Sequence, residues 1–269
     1  MVHPLNSDEP PHYFFMNETL QKLIKLSHEI GREERRLAIL GEGNTSASLG
    51  DGTFLIKASG SSLSTIDEKG ITHVHSEPVL AALDDSSADD TAVRSILEKS
   101  RVNSSAKLPS VETFLHAVCI NEAGAKWVGH CHAESVLSIV CSQHGAKPFL
   151  QHMFPDAIVV CGREVAVVPY LDPGLALARE FRKALRDHKA RYGSFPKVVL
   201  MENHGPVALG ASDTEVLNIL LMLDKWARIL VGTLSVGGPR FLPSEVSDRI
   251  DNRPDEHYRR KQIAEAQQQ

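Results

Sequence analysis

The chain has 269 residues, 42% of them hydrophobic, and its 29 Lys and Arg against 34 Asp and Glu give a formal net charge of −5. That is enough apolar material for a sizeable core at a length within the single-domain range of α/β folds. There is no basic footprint for nucleic acid, no apolar run near the roughly 20 residues that span a bilayer, and no signal-peptide pattern in the polar residues 1–11. A cytoplasmic protein is expected. Its four cysteines, Cys119, Cys131, Cys141 and Cys161, fall inside apolar patterns and are expected as buried free thiols.

In chain order, helix and strand patterns alternate. Asn17 is placed to cap a helix to about residue 40, with Leu20, Leu23, Ile24, Ile30 and Leu37 along its apolar side and Gly41 at its end. Segments 44–49 and 53–58 read as strands joined by Gly50-Asp51-Gly52, a three-residue hairpin signal. Residues 84–107 are polar, with a short helical pattern around Val93, Ile96 and Leu97, and are expected as a surface excursion. A helix from 111 to about 123 precedes a strand ending in Trp127-Val128-Gly129-His130-Cys131-His132, and a helix from 133 to about 144 follows it. Segments 157–161 and 164–169 are expected as a hairpin around Gly162-Arg163. Next come a helix over 174–192, a Val- and Leu-rich strand over 197–201, and a helix from Asp213 to about 234 capped by Asp213. Residues 255–269 are helical in propensity but strongly polar. No internal repeat or Pro/Gly/Ser-rich linker is visible. A single domain over 1–269 is therefore expected, with 1–16 as an N-terminal arm and 236–269 as a C-terminal tail.

Alternate side chains of a strand share a face, so His130 and His132 aim at one point and Cys131 aims away from it. Neutral imidazole suits zinc and related divalent ions, and a metal needs at least a third ligand. The sequence offers Glu112 upstream and His204 downstream. His204 follows a buried-looking strand and sits in the turn Asn203-His204-Gly205-Pro206, where its side chain would project from the sheet edge. A three-histidine site of His130, His132 and His204 with an open position is predicted. His73 and His75 share the spacing but lie near a turn in a polar segment, and the remaining histidines, His116 among them, lack that convergence.

Glu112 lies at an expected helix start, with Ser110 as N-cap. It is either a carboxylate favoured by the helix dipole or a general acid/base beside the metal, and the metal argument favours the second. The turns Gly41-Glu42-Gly43-Asn44-Thr45-Ser46 and Lys57-Ala58-Ser59-Gly60-Ser61-Ser62 lie at neighbouring ends of one hairpin. Gly/Ser turns of this kind bind anions through backbone N–H groups. Lys57 would add a positive charge there, unless it is a solvated strand lysine.

In this order and spacing, four blocks resemble the class II aldolase/adducin family. They are Gly43-Asn44-Thr45-Ser46, Lys57-Ala58-Ser59-Gly60, Pro109-Ser110-Val111-Glu112 with Gly129-His130-Cys131-His132, and Asn203-His204-Gly205. The resemblance implies a three-layer α/β/α sandwich with a largely antiparallel central sheet, and a homotetramer with active sites between subunits. It implies His130, His132 and His204 as ligands of a divalent metal ion, zinc first and manganese or cobalt as alternatives. It also implies Glu112 as the catalytic acid/base, and Asn44, Ser59, Gly60 and Ser110 as the phosphate pocket, with Lys57 beside it. Tyr170, after a later strand, looks like the catalytic tyrosine that reaches a neighbouring subunit's site, with His257 and Tyr258 as a second candidate cover.

The implied activity is metal-dependent carbon–carbon cleavage of a ketose phosphate or related sugar acid through an enediolate. Alternatives are a sugar-phosphate 4-epimerase, a related decarboxylase or dehydratase, and a non-catalytic adducin-like assembly module. Two departures bear on the substrate. Many relatives have Thr-Pro-Ser-Gly where this chain has Lys57-Ala58-Ser59-Gly60, and aldolases often have a second serine where this chain has Val111. Either the lysine offsets the lost hydroxyl or the substrate carries no phosphate. No Gly-x-Gly-x-x-Gly dinucleotide fingerprint is present.

Overall fold

In the computed structural model, which describes residues 11–253, the two glycines of Gly50-Asp51-Gly52 take positive φ (84° and 83°) and fold β1 (Asn44–Ser48) back onto β2 (Thr53–Lys57). This hairpin is extended by β3 (Ile71–His75) on one side and β4 (Trp127–His130) on the other. With β5 (Ala166–Val168), β6 (Val198–Met201) and β7 (Gly205–Gly210) they form a seven-stranded sheet of order β3-β2-β1-β4-β7-β6-β5. Every neighbouring pair is antiparallel except β5 and β6.

Helices cover both faces. The helices are α1 (Pro11–Ile30), α2 (Ser76–Asp84), α3 (Val93–Ser100), α4 (Thr113–Asn121), α5 (Glu134–Val140), α6 (Pro155–Cys161), α7 (Leu175–Tyr192), α8 (Asp213–Leu234) and α9 (Ser244–Asp251). On one face Val79 of α2, Phe114 and Val118 of α4 and Phe181 of α7 pack with Phe54, Val128, Val199 and Val207 of the sheet. On the other, Val136 of α5, Ala157 of α6 and Leu220 and Trp226 of α8 pack with Val198, Leu200 and Ala208. Alternation along β6 and β7 sends neighbouring side chains to opposite cores. The result is a three-layer α/β/α sandwich with a mostly antiparallel sheet. Among the described residues no helix is long and apolar enough to cross a membrane.

Several elements differ from their sequence patterns. Helix α1 starts at Pro11 rather than Asn17, since proline is tolerated in a first helical turn, and it stops at Ile30 rather than near 40. At Gly31 a Cβ would lie 2.3 Å from the backbone nitrogen of Ser64, and the chain then turns with Arg36 and Leu40 at positive φ. The expected hairpin over 157–169 does not form. Pro155 opens helix α6 instead, its Ile158 and Val159 pack against Ile250 of α9, and β5 pairs in parallel with β6. The cap of α8 is Ser212, whose side chain accepts from the Glu215 N–H, and not Asp213. Cys141 is exposed while the other three thiols are buried. The 84–107 excursion is pinned: Arg179 donates to the carbonyls of Asp85 and Ala88, and Asp90 accepts the first N–H of α7, that of Leu175. The segment 255–269, with His257 and Tyr258, lies outside the described residues.

Candidate active site

Two separate pieces of backbone bring three imidazoles together. His130 ends β4, His132 follows two residues later, and His204 sits in the turn between β6 and β7. That turn is tight. Asn203 has φ 56°, Gly205 has φ 145°, and a Cβ at Gly205 would lie 2.4 Å from the Cys131 carbonyl oxygen. A side chain at Gly205 would push the His204 turn away from the His130–His132 strand. As built, the ring centroids form a nearly equilateral triangle with sides of 4.9, 5.0 and 5.2 Å. One ring nitrogen from each histidine lies within 4.8 Å of the others.

Second partners orient the rings. His130 Nδ1 lies 2.9 Å from the Pro206 carbonyl, which fixes the hydrogen there and leaves Nε2 as the lone-pair nitrogen. His132 Nδ1 faces Glu42 Oε1 at 3.7 Å, and its Nε2 lies 3.1 Å from His130 Nε2. Burial pushes His130 down to about 4 and lowers His132, with the His204 ring adding to the second shift. Both are neutral near pH 7, the form in which imidazole ligates metal.

Glu112 closes the cluster from the start of α4. Its Oε1 lies 2.8 Å from His204 Nε2 and 3.4 Å from His130 Nε2, and its Oε2 accepts from Asn44 Nδ2. Burial alone would raise its pKa. The imidazoles of His130 and His204 and the Asn44 amide outweigh that and hold the carboxyl well below the ordinary range. Buried Oε1 makes no well-aligned hydrogen bond and faces those two imidazole nitrogens. A carboxylate oxygen facing converging imidazole nitrogens is the donor set of a divalent cation, so the residues present fit a metal.

The anion-binding candidates surround this cluster unevenly. Asn44 is buried beside His130, to which β1 pairs it, and it also donates to Ser110 Oγ at 3.2 Å. Ser110 does not cap α4 directly: the helix proper begins at Thr113, Glu112 occupies the N-cap, and Ser110 Oγ accepts the Glu112 N–H. Lys57 is not a solvated strand lysine. It is only 2% exposed, and its Nζ donates to the carbonyls of Gly41 (2.9 Å) and Ser61 (2.7 Å), tying the two Gly/Ser turns together. Burial lowers its pKa, and the Glu112 carboxylate opposes the shift. Ser59 and Gly60 form the exposed rim of this turn, Gly60 at φ 75°. Tyr170 follows β5, is 55% exposed, and donates to Asp172 Oδ1 at 2.8 Å; its described partner is thus Asp172 and not the histidine cluster. His73, on β3, pairs instead with Thr53 Oγ1 of β2.

Two residues have a role that their sequence context does not assign: His116 is set aside there as a ligand, and Ser46 is placed only in the anion-binding turn. His116, fully buried on α4, bonds Asn44 Oδ1 through Nε2 and Ser46 Oγ through Nδ1, the latter at 2.6 Å. Its position four residues after Glu112, on a helix, carried the signal, because i and i+4 share a face. Ser46 lies two residues after Asn44 on β1 and so shares its face.

Comparison with known proteins gives the family. The family model described as class II aldolase and adducin N-terminal domain matches residues 21–231. An uncharacterized oxidoreductase of Bacillus subtilis (strain 168), YuxG, is 25% identical over 237 residues, 83% of this chain; the chain spans only 32% of that relative's length. A 3-oxo-tetronate 4-phosphate decarboxylase of Escherichia coli (strain K12) is 26% identical over 199 residues, 73% of this chain and 79% of that protein. The solved N-terminal class II aldolase domain of a conserved Thermoplasma acidophilum protein is 26% identical, with a TM-score of 0.65, covering 86% of this chain and 99% of that one.

Proposed function

The chain belongs to the class II aldolase and adducin family, and from that premise we propose that it is a metal-dependent lyase cleaving a carbon–carbon bond of a ketose phosphate or related sugar acid. The observation that carries this reading is the Glu112 carboxylate beside three converging imidazoles, with one buried oxygen turned to the nitrogens of His204 and His130. A scaffold has no use for such an arrangement, since a buried carboxylate is costly to keep.

His130, His132 and His204 would hold the divalent ion, zinc first and manganese or cobalt as alternatives, because imidazole sites accept several first-row metals. When bound, the ion supplies Lewis-acid stabilisation of negative charge on the substrate's oxygens. Glu112 exchanges the proton on the carbon next to the substrate carbonyl, taking it in one direction and returning it in the other. Tyr170 of a neighbouring subunit handles the proton of the hydroxyl that becomes the aldehyde oxygen. Lys57, Asn44, Ser59, Gly60 and Ser110 receive the substrate's anionic end, a phosphate or a carboxylate. The working form is a cytoplasmic homotetramer.

A decarboxylase is the second reading, favoured by the 26% identity to 3-oxo-tetronate 4-phosphate decarboxylase. Losing carbon dioxide from a 3-oxo acid leaves an electron pair next to a carbonyl, as retro-aldol cleavage does, so one site serves both. A 4-epimerase that breaks and re-forms the same bond uses it too.

Purified protein should carry about one divalent ion per chain, and His130→Ala and His204→Ala should each lose most of it. Metal-loaded protein is then offered a panel of ketose phosphates, 3-oxo acid phosphates and unphosphorylated sugar acids, with aldehyde, carbon dioxide and epimer measured separately. Glu112→Gln should keep most of the metal and lose ~10²–10⁴-fold in turnover. Full metal content in both histidine variants, or normal turnover by Glu112→Gln, overturns the reading. Metal-free protein with no turnover favours an assembly module.

A further inference from the structure

We propose that His116 is a positioning residue that locks the Asn44 amide in one orientation and thereby aims the Glu112 carboxylate at the histidine cluster. The inference rests on the functional reading above for its importance, though not for its geometry.

The hydrogen-bond chain runs in one direction only. Glu112 Oε2 is anionic and needs a donor, so the Asn44 group facing it is the amide nitrogen, Nδ2. The second hydrogen of that nitrogen goes to Ser110 Oγ at 3.2 Å. Asn44 Oδ1 then points the other way, into the protein, where it needs a donor of its own. His116 Nε2 is the atom it meets, so Nε2 carries the hydrogen. His116 Nδ1 is left as an acceptor, and Ser46 Oγ, 2.6 Å away, supplies the O–H. Ser46 to His116 to Asn44 to Glu112 is thus a file of donors all pointing towards the carboxylate.

Each member is buried: Asn44 is 2% exposed, and Ser46 and His116 are 0%. Water therefore offers no substitute donor. If Asn44 flipped, its oxygen would face the Glu112 anion and its nitrogen would face the His116 N–H, two repulsive contacts in a medium of low dielectric. A leucine at position 116 would fill most of the space but leave Asn44 Oδ1 without a donor, and the amide would lose its preferred orientation. Burial also keeps His116 neutral, so the ring does not donate from both nitrogens. His116 touches neither the candidate metal ligands' lone pairs nor the open face of the site; its effect passes through Asn44.

The test uses the full chain and three variants, His116→Leu, His116→Gln and Ser46→Ala. All should retain the metal content of the wild type, since no ligand is removed. With whichever substrate the panel identifies, His116→Leu should lower kcat by ~10–100-fold, the usual cost of removing an outer-shell partner, with KM changed little. His116→Gln keeps an N–H donor and should recover much of that loss, while Ser46→Ala should lose only a few-fold.

Independently of turnover, nitrogen-15 NMR of imidazole-labelled protein near pH 7 should show for His116, assigned by difference from His116→Leu, a neutral ring with its hydrogen on Nε2, alongside other Nε2–H rings such as His28 and His152, which meet the Ile66 and Arg163 carbonyls. That signal should vanish in His116→Leu and shift in Ser46→Ala. A hydrogen on Nδ1 of His116, or equal losses in the leucine and glutamine variants, would overturn the proposal. If the leucine variant fails to fold, Ser46→Ala and the spectrum of the wild type decide it. Wild-type protein inert towards the whole panel would instead count against the lyase reading, and the spectrum would still test the relay.

Discussion

At the residue scale, a histidine buried in its neutral form ties stability to pH. Burial pushes His116 down to about 3, whereas an unfolded histidine titrates near 6.5. Between those values the unfolded chain binds a proton that the folded chain refuses, so stability rises with pH across the window and is lost as pH falls below about 6.5. The slope is at most about 1.4 kcal/mol per pH unit for this one group. Urea midpoints measured from pH 7 to pH 5 should fall more steeply for wild type than for His116→Gln; parallel lines would show that His116 takes up its proton in the fold. His116 also marks where the sequence stopped being legible. His130 and His132 declare themselves by strand spacing, and His204 by its turn. His116 sits in an apolar helix, and its meaning depends on Asn44, 72 positions earlier, which only the sheet brings alongside it. Lys57 was visible as a candidate charge, but its burial against the Gly41 and Ser61 carbonyls follows from how two turns meet.

At the element scale, the site depends on how closely β4 lies against α8. A Cβ on Gly129 would sit 2.6 Å from Val216 Cγ1 and 3.3 Å from Leu220 Cδ1, both on α8. Gly129→Ala should therefore lift the helix from the strand at a cost of about 1–3 kcal/mol, the usual range for overpacking. Because His130 is the next residue, metal content should fall with Tm. Gly232→Ala is the contrast. It lies near the end of the same helix with nothing within 4 Å of its Cβ, so it should be neutral or stabilise by about 0.5–1 kcal/mol through helix propensity. Equal Tm values for the two variants would refute the close-packing argument.

Element types were legible where periodicity was long, as in α7 and α8, and illegible where a short apolar run fits both periods. Ile158-Val159-Val160 looks like a strand because its side chains are β-branched. It is a helix because Pro155 starts one and because α8 and α9 offer it surfaces to cover. Strand β7 hid behind Gly205 and Pro206. Proline is tolerated there, near the strand's start, and its carbonyl serves both the Cys131 N–H and the His130 ring.

At the scale of the whole molecule, the proposed chemistry needs a proton carrier on the aldehyde side, and the described interactions of one chain do not bring one to the histidines. Tyr170 is exposed beyond β5 and bonded only to the nearby Asp172 among its described hydrogen-bond partners. Near the site's own mouth, Ile39 and Leu40 are 54% and 82% exposed, more apolar surface than a turn beside a polar site needs. A neighbouring subunit that covers this rim and inserts Tyr170 would account for both. The prediction is complementation between two defective subunits. Tyr170→Phe and Glu112→Gln proteins should each be nearly inactive alone. Unfolded together and refolded as mixed oligomers, they should regain activity, because some interfaces then pair an intact Glu112 with an intact Tyr170. Restored activity should track the fraction of mixed oligomers and disappear when the two are mixed without subunit exchange. A fully active monomer at assay concentration would exclude the shared site, as would mixed oligomers no more active than their parents.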